Sequence, residues 1–109
     1  TRREPTLAYL MIRYTPKDGV DAAEFENWVR DTDQPTMRSL KRVLQFDTYK
    51  VTGLLMGEGA PSQSYFEIFE IDDLDGFARE DMAGDTVQAI MGQFMGFAEA
   101  PEFVVAEKL

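Results

Sequence analysis

Apolar residues follow two rhythms along this chain, one of strands and one of helices. Leu7 to Tyr14 is almost continuously apolar and closes on Thr15-Pro16-Lys17-Asp18-Gly19, which reads as a strand and a turn-rich loop. Helical spacing takes over at once. Asp21 is placed to cap the helix, Glu24 stands where a capping box needs it, Val20 and Phe25 can staple its entry, and Phe25, Trp28 and Val29 share a face. Pro35 predicts a break or kink just before it, with Thr36 to Leu40 as a second short turn. Val43 to Leu55 alternates loosely as a second strand and runs into a flexible connection marked by Gly53, Gly57, Gly59 and Pro61.

The next strand, Ser64 to Ile71, is apolar on both faces and carries Glu67 partway along one of them. Alternating side chains oblige such a strand to cover two sides. A short helix with Leu74, Phe77 and Ala78 follows, capped by Asp72 or Asp73. Gly84 interrupts it, and Asp85 with Gln88 restarts a helix bearing Val87, Ile90, Met91 and Phe94 on one face. Pro101 introduces a last strand, Glu102 to Lys108. The order strand, helix, strand, strand, helix, strand is the α+β, ferredoxin-like βαββαβ plan: a four-stranded antiparallel sheet with both helical stretches on one face. The 109 residues form a single domain, 1–109. The other sheet face is expected to be strongly apolar, so an obligate homodimer through that face is expected.

The register of Glu67 depends on the cap. With Asp72 as cap, Ile71 points toward the helices, and Phe69, Glu67 and Tyr65 join it by alternation, while Phe66, Ile68 and Glu70 face the partner subunit. The assignment reverses if Asp73 is the cap. The first register is adopted here, and it buries a carboxylate between sheet and helices. Such a group is either structural, bonded to a tyrosine or to Arg13, or a polar group in a ligand cavity with a raised pKa suited to acid or base work.

Composition narrows the chemistry. With no cysteine and no histidine, disulfides, thiolate metal sites, a cysteine nucleophile and the commonest general base are excluded, and neither metal nor cofactor is expected. A net charge of -9 without a dense basic block argues against nucleic acid. Arg38, Lys41 and Arg42 cluster at a helix end and read as solvated cations complementing its dipole. Thr1-Arg2-Arg3-Glu4-Pro5 leads into a strand and no apolar stretch is long enough to span a bilayer, so no membrane association and a cytoplasmic location are expected. Gly57 and Gly59 lack the Lys-Ser/Thr partner of a phosphate loop.

Size, plan and implied pairing resemble the dimeric α/β-barrel superfamily. Phe25-x-x-Trp28, then Asp33-x-Pro35, Leu40 and a strand from Val43 look like the first-helix region of its EthD-like and REDY-like (HapK) branches. The resemblance implies a cavity between sheet and helices that takes an aromatic or polyketide-like molecule, and for the REDY-like branch a link to prodigiosin-type pigment biosynthesis. Trp28, Tyr65, Glu67 and Phe69 would line that cavity. Tyr14, with a hydroxyl to offer, Met37, from an adaptable set of six methionines, and Phe94 complete the candidate ligand contacts. EthD-like proteins typically carry histidine where Asp33 stands, and some cyclase-like relatives another near Asp85, which makes both aspartates candidates beside Glu67. Helix capping is the plainer role for each.

Three readings follow. The first is a homodimer that binds an aromatic or heteroaromatic intermediate of secondary metabolism and assists its cyclisation, condensation or oxidation without a metal, Glu67 serving as acid or base. The second is a cofactor-independent monooxygenase of aromatics. The third is a non-catalytic ligand-binding or interaction dimer.

Overall fold

The computed structural model describes residues 7–109, so the expectation placed on Thr1 to Pro5 lies outside the described residues. Strand β1 is Leu7–Pro16, helix α1 Ala22–Trp28, helix α2 Gln34–Arg38, and strands β2 and β3 are Val43–Lys50 and Tyr65–Asp72. The short helix α3 (Leu74–Gly76), the long helix α4 (Asp85–Phe97) and strand β4 (Ala98–Ala106) complete the order. The four strands lie in the order β2-β3-β1-β4, and each neighbouring pair is antiparallel. This is the ferredoxin-like α+β plan. Among the described residues, no helix is long and apolar enough to cross a membrane.

The first helix starts where capping chemistry places it, with the Glu24 amide donating to Asp21 Oδ2 at 3.2 Å. It does not break before Pro35. A π-helical turn, Val29–Asp33, joins α1 to α2, and the Gln34 amide reaches back five residues to the Val29 carbonyl. Pro35 then falls in the first turn of α2, where a missing N–H is tolerated. A second π turn, Phe77–Asp81, extends α3 in the same way, with Met82 N–H donating to the Phe77 carbonyl at 2.9 Å.

Strand β2 stops at Lys50 and not at Leu55, because β3 offers it partners only from Tyr65 onward. Beyond the closing bond from Val51 N–H to the Ser64 carbonyl, the loop runs free and leaves Leu55 and Met56 99% and 83% exposed. β4 starts at Ala98, directly from α4, and includes Pro101. An edge strand tolerates that proline, and the β1–β4 register shifts between Arg13 and Thr15, where Ala100 takes a positive φ of 42°.

Side chains of Ile12, Tyr14, Phe46, Tyr65, Phe69 and Ile71 cover the helix side of the sheet and meet Phe25, Val29, Met37, Phe77, Val87, Ile90 and Phe94. Each such side chain stabilises the fold by about 1.5–3 kcal/mol when fully buried. Cross-strand partners pair as rings: Phe46 stacks on Phe69 at 3.9 Å, and Tyr14 on Tyr65 at 5.9 Å. The opposite face is less apolar than its strand patterns promised. Tyr9, Met11, Phe66, Ile68 and Val104 form a half-buried strip down its middle, while Arg13, Glu102, Gln45, Asp47 and Glu70 surround it.

Of the basic cluster, Lys41 is exposed as expected, but the two arginines are tied to specific partners. Arg42 joins Asp73, Glu80 and Asp81 at 3.2, 2.8 and 3.2 Å, and Arg38 donates to the Phe46 carbonyl and to Asp47. These bonds tie the start of β2 to the second helical arm, and α2 to the strand it precedes.

Candidate functional site

Glu67 occupies the middle of β3, opposite Ile12 of β1 on one side and Thr48 of β2 on the other. Its side chain is on the helix side, as expected, but the expected cause was wrong. Asp73, not Asp72, caps α3, accepting from Gly76 N–H at 3.0 Å. Asp73 has a left-handed backbone, φ 61°, which turns the chain so sharply that Ile71, two residues before the cap, packs under the helix while Asp72 stays in the strand.

Glu67 is 3% exposed, and Tyr14 donates its hydroxyl to Oε2 at 2.5 Å. Asp33, also 3% exposed, joins it from the first π turn. Its position follows from the turn. Phe25, Val29, Asp33 and Met37 are four residues apart, a spacing that drifts about 40° per step around a straight α-helix; the wider π turn cancels drift and keeps all four facing the sheet. Asp33 makes no capping bond, so the capping role is excluded, and its Oδ2 is buried without a partner.

Both carboxylates line an apolar cavity of about 40 Å³ between sheet and helices. Leu10, Ile12 and Phe69 form its floor, α4 gives Val87, Ile90, Met91 and Phe94, and Met37, Phe77, Met82 and Phe103 close the rest. Both π turns border it, through Asp33 and Phe77. At this size the space holds a few waters and not an aromatic ring. Three flexible methionines, Met37, Met82 and Met91, are in its wall and can yield.

The electrostatics are unusual for a core. Burial, with the Asp33 charge adding to it, pushes Glu67 up to about 8 against the opposing Tyr14 bond, and burial pushes Asp33 up to about 7. Burial first, then the neighbouring Glu67, raises Tyr14 well above the usual phenol range, so it stays a donor. Two acids this close titrate as a pair, and near neutrality the pair holds a proton that it can give or take. Among the described residues no cluster of three or more His, Cys, Asp or Glu could hold a metal ion.

The sequence-derived candidates divide cleanly. Glu67, Asp33, Met37, Phe69 and Phe94 meet at the cavity, with Tyr14 behind Glu67. Trp28, Tyr65 and Asp85 do not. Trp28 donates its indole N–H to Gln93 at 2.7 Å and packs on Phe25 and Phe97. Tyr65 turns its hydroxyl to Glu26 at 2.6 Å, in a separate polar cleft where Lys50 and Arg30 also reach Glu26 and, Lys50 foremost, hold it below its usual pKa. Asp85 is exposed in the first turn of α4, and the cap there is Gly84. Arg13 does not reach Glu67; it pairs with Glu102 at 2.9 Å. Leu10, Ile12, Phe77, Met82, Val87, Ile90, Met91 and Phe103 were missed as wall residues, although Val87, Ile90 and Met91 share the predicted helix face of Phe94, which was named.

Residues 8–109 match the family model for the REDY-like protein HapK. The chain belongs to the REDY-like HapK family. Its structure is similar to the crystal structure of HapK from Hahella chejuensis, at 26% identity over 94% of this chain and 92% of that one, with a TM-score of 0.77. An EthD family protein from Bacillus halodurans shares the fold at 19% identity, covering 95% of this chain and 100% of that one, with a TM-score of 0.74. So does a dimeric ferredoxin-like protein of unknown function from Thermobifida fusca, at 12% identity, coverages of 96% and 93% and a TM-score of 0.75. No curated protein sequence matches the chain.

Proposed function

We propose that this REDY-like protein binds an aromatic or heteroaromatic biosynthetic intermediate in the cavity between sheet and helices, with Glu67 as the acid or base that assists its conversion. The observation that carries the reading is the pairing of Glu67 with Asp33, two buried carboxyls at an otherwise hydrocarbon cavity. A core built only for stability gains nothing from such a pair, since each ionised carboxyl is costly to bury. The aromatic walls at Phe69, Phe77 and Phe94 suit a flat ligand, and the methionines supply the give that a 40 Å³ space requires. Likeness to HapK adds the expectation of a secondary-metabolite pathway of the prodigiosin or polyketide kind.

A homodimer through the free sheet face belongs to the same proposal. The apolar strip of Met11, Phe66, Ile68 and Val104, ringed by Arg13, Asp47, Glu70 and Glu102, has the greasy centre and polar rim of a protein interface.

The test is Glu67→Gln, which keeps the shape and removes the titration. A panel of aromatic and heteroaromatic compounds is screened for binding and for conversion, with the wild type beside the variant. Lost conversion with retained affinity supports the acid or base role. Unchanged conversion and unchanged affinity would show it to be wrong.

A further inference from the structure

The two carboxyls at the cavity have unequal partners. Glu67 accepts from Tyr14, whereas Asp33 Oδ2 is buried and accepts from none of the described residues. Among the described residues, the titratable or charged groups that face the pair are few: Tyr14 from β1, and the two carboxyls themselves from β3 and the first π turn. The second π turn, α4 and β4 present only uncharged side chains there, through Phe77, Ile90, Met91, Phe94 and Phe103, and β2 sets the buried Thr48 hydroxyl beside Glu67. The cavity thus offers acceptors and negative charge, with neither Lys nor Arg in its wall among the described residues.

From this imbalance we infer that the cavity selects ligands with a basic nitrogen, bound as organic cations whose N–H groups donate to Asp33 and Glu67. The inference rests on the ligand-binding reading above and specifies its substrate class. A protonated amine or nitrogen heterocycle supplies the donor that Asp33 lacks and the positive charge that the pair favours. The rings of Phe69 and Phe94 add faces that attract a cation. A hard metal ion fits poorly, because it wants six or more oxygen ligands and the rest of the wall is carbon. A carboxylate or phenolate ligand would bring like charge to the pair and, among the described residues, find no cationic donor in the wall. Because the pair is raised toward neutrality, a bound cation also displaces its proton.

Benzylamine, benzyl alcohol and benzoate share one ring and differ in the head group, so they separate the alternatives. Calorimetry at pH 7, in two buffers of different ionisation enthalpy, gives affinity and protons released together. The amine is expected to bind roughly tenfold or more tighter than the alcohol, with proton release. Benzoate is expected not to bind. In the Asp33→Asn, Glu67→Gln double variant the amine preference should shrink to within about twofold and the proton release should vanish. Equal binding of amine and alcohol, binding of benzoate, or an amine preference that survives in the double variant would overturn the inference while leaving a ligand cavity standing. Binding of none of the three would overturn both.

Discussion

Tyr14 and Glu67 are diagonal neighbours on the β1–β3 ladder: Tyr14 sits opposite Tyr65, Glu67 opposite Ile12, and the phenol crosses the diagonal to the carboxylate. Adjacent strands therefore hold one oxygen of Glu67 in place and leave its other oxygen to the cavity. Tyr14→Phe deletes only the donor. At neutral pH, where Glu67 keeps its proton, the variant should lose about 0.5–1.5 kcal/mol of stability, the usual net worth of a hydrogen bond between neutral groups. The bond lowers the Glu67 pKa, so its loss should move the carboxyl titration to higher pH. Denaturant unfolding and carbon-detected NMR titration of the glutamate side chains measure the two effects.

Stability should fall as pH rises through the range of the buried pair. Folded Glu67 and Asp33 have pKa values raised to about 8 and about 7, above the ordinary 4.5 and 3.8, so between these limits the folded state holds more protons than the unfolded. The stability they favour is complete below the unfolded values and is lost as pH climbs through the folded ones, a change on the order of a few kcal/mol. Glu26 and Asp73, both lowered, act in the opposite sense at acid pH, so the informative quantity is wild type minus Glu67→Gln. That difference should grow against the wild type from about pH 5 to about pH 8. A flat difference would contradict the buried acid.

Ile68 lies on the same strand as Glu67 but faces away from it, in the middle of the free sheet face. Ile68→Glu should convert a micromolar dimer into a monomer, since truncating or charging a central interface residue costs about 2 kcal/mol or more. Sedimentation equilibrium on both proteins decides it. A wild-type monomer at micromolar concentration would refute the proposed pairing.

The loop between β2 and β3 should be the first point of proteolysis. Leu54, Leu55 and Met56 are exposed there, and the bond from Val51 to the Ser64 carbonyl closes its base. Brief digestion with chymotrypsin should nick the chain within this loop and leave the β2–β3 ladder paired. Mass spectrometry of the fragments, with circular dichroism of the nicked protein, reads both outcomes.

The strand order was legible, and strict alternation in β3 put Glu67 on one face with Tyr65 and Phe69; that this face meets the helices was reached through the wrong cap, and the left-handed turn at Asp73 is what makes it so. The cavity was only half legible. Phe94 and Met37 carry a helical spacing that points inward, but Asp33 was hidden behind Pro35, which promised an interrupted helix where a π turn carries the chain on. Trp28 misled for a different reason. Its face meets Phe97 and Gln93, far away in sequence, and only tertiary packing shows that it is spent there. The left-handed backbone of Asp73 is equally local and equally silent, since aspartate caps helices in ordinary conformations as well.

A π turn differs from an α turn by one extra residue in its hydrogen-bonded ring. Deleting one residue between Val29 and Asp33 would restore a regular helix while Phe25 on one side and Met37 on the other kept their bearing on the sheet. Asp33, seven residues after Phe25 and four before Met37 in the shortened helix, would keep its bearing as well, so the extra residue does not by itself place the acid. The insertion sets the length of this arm, and the polarity of the cavity turns instead on the single side chain at position 33.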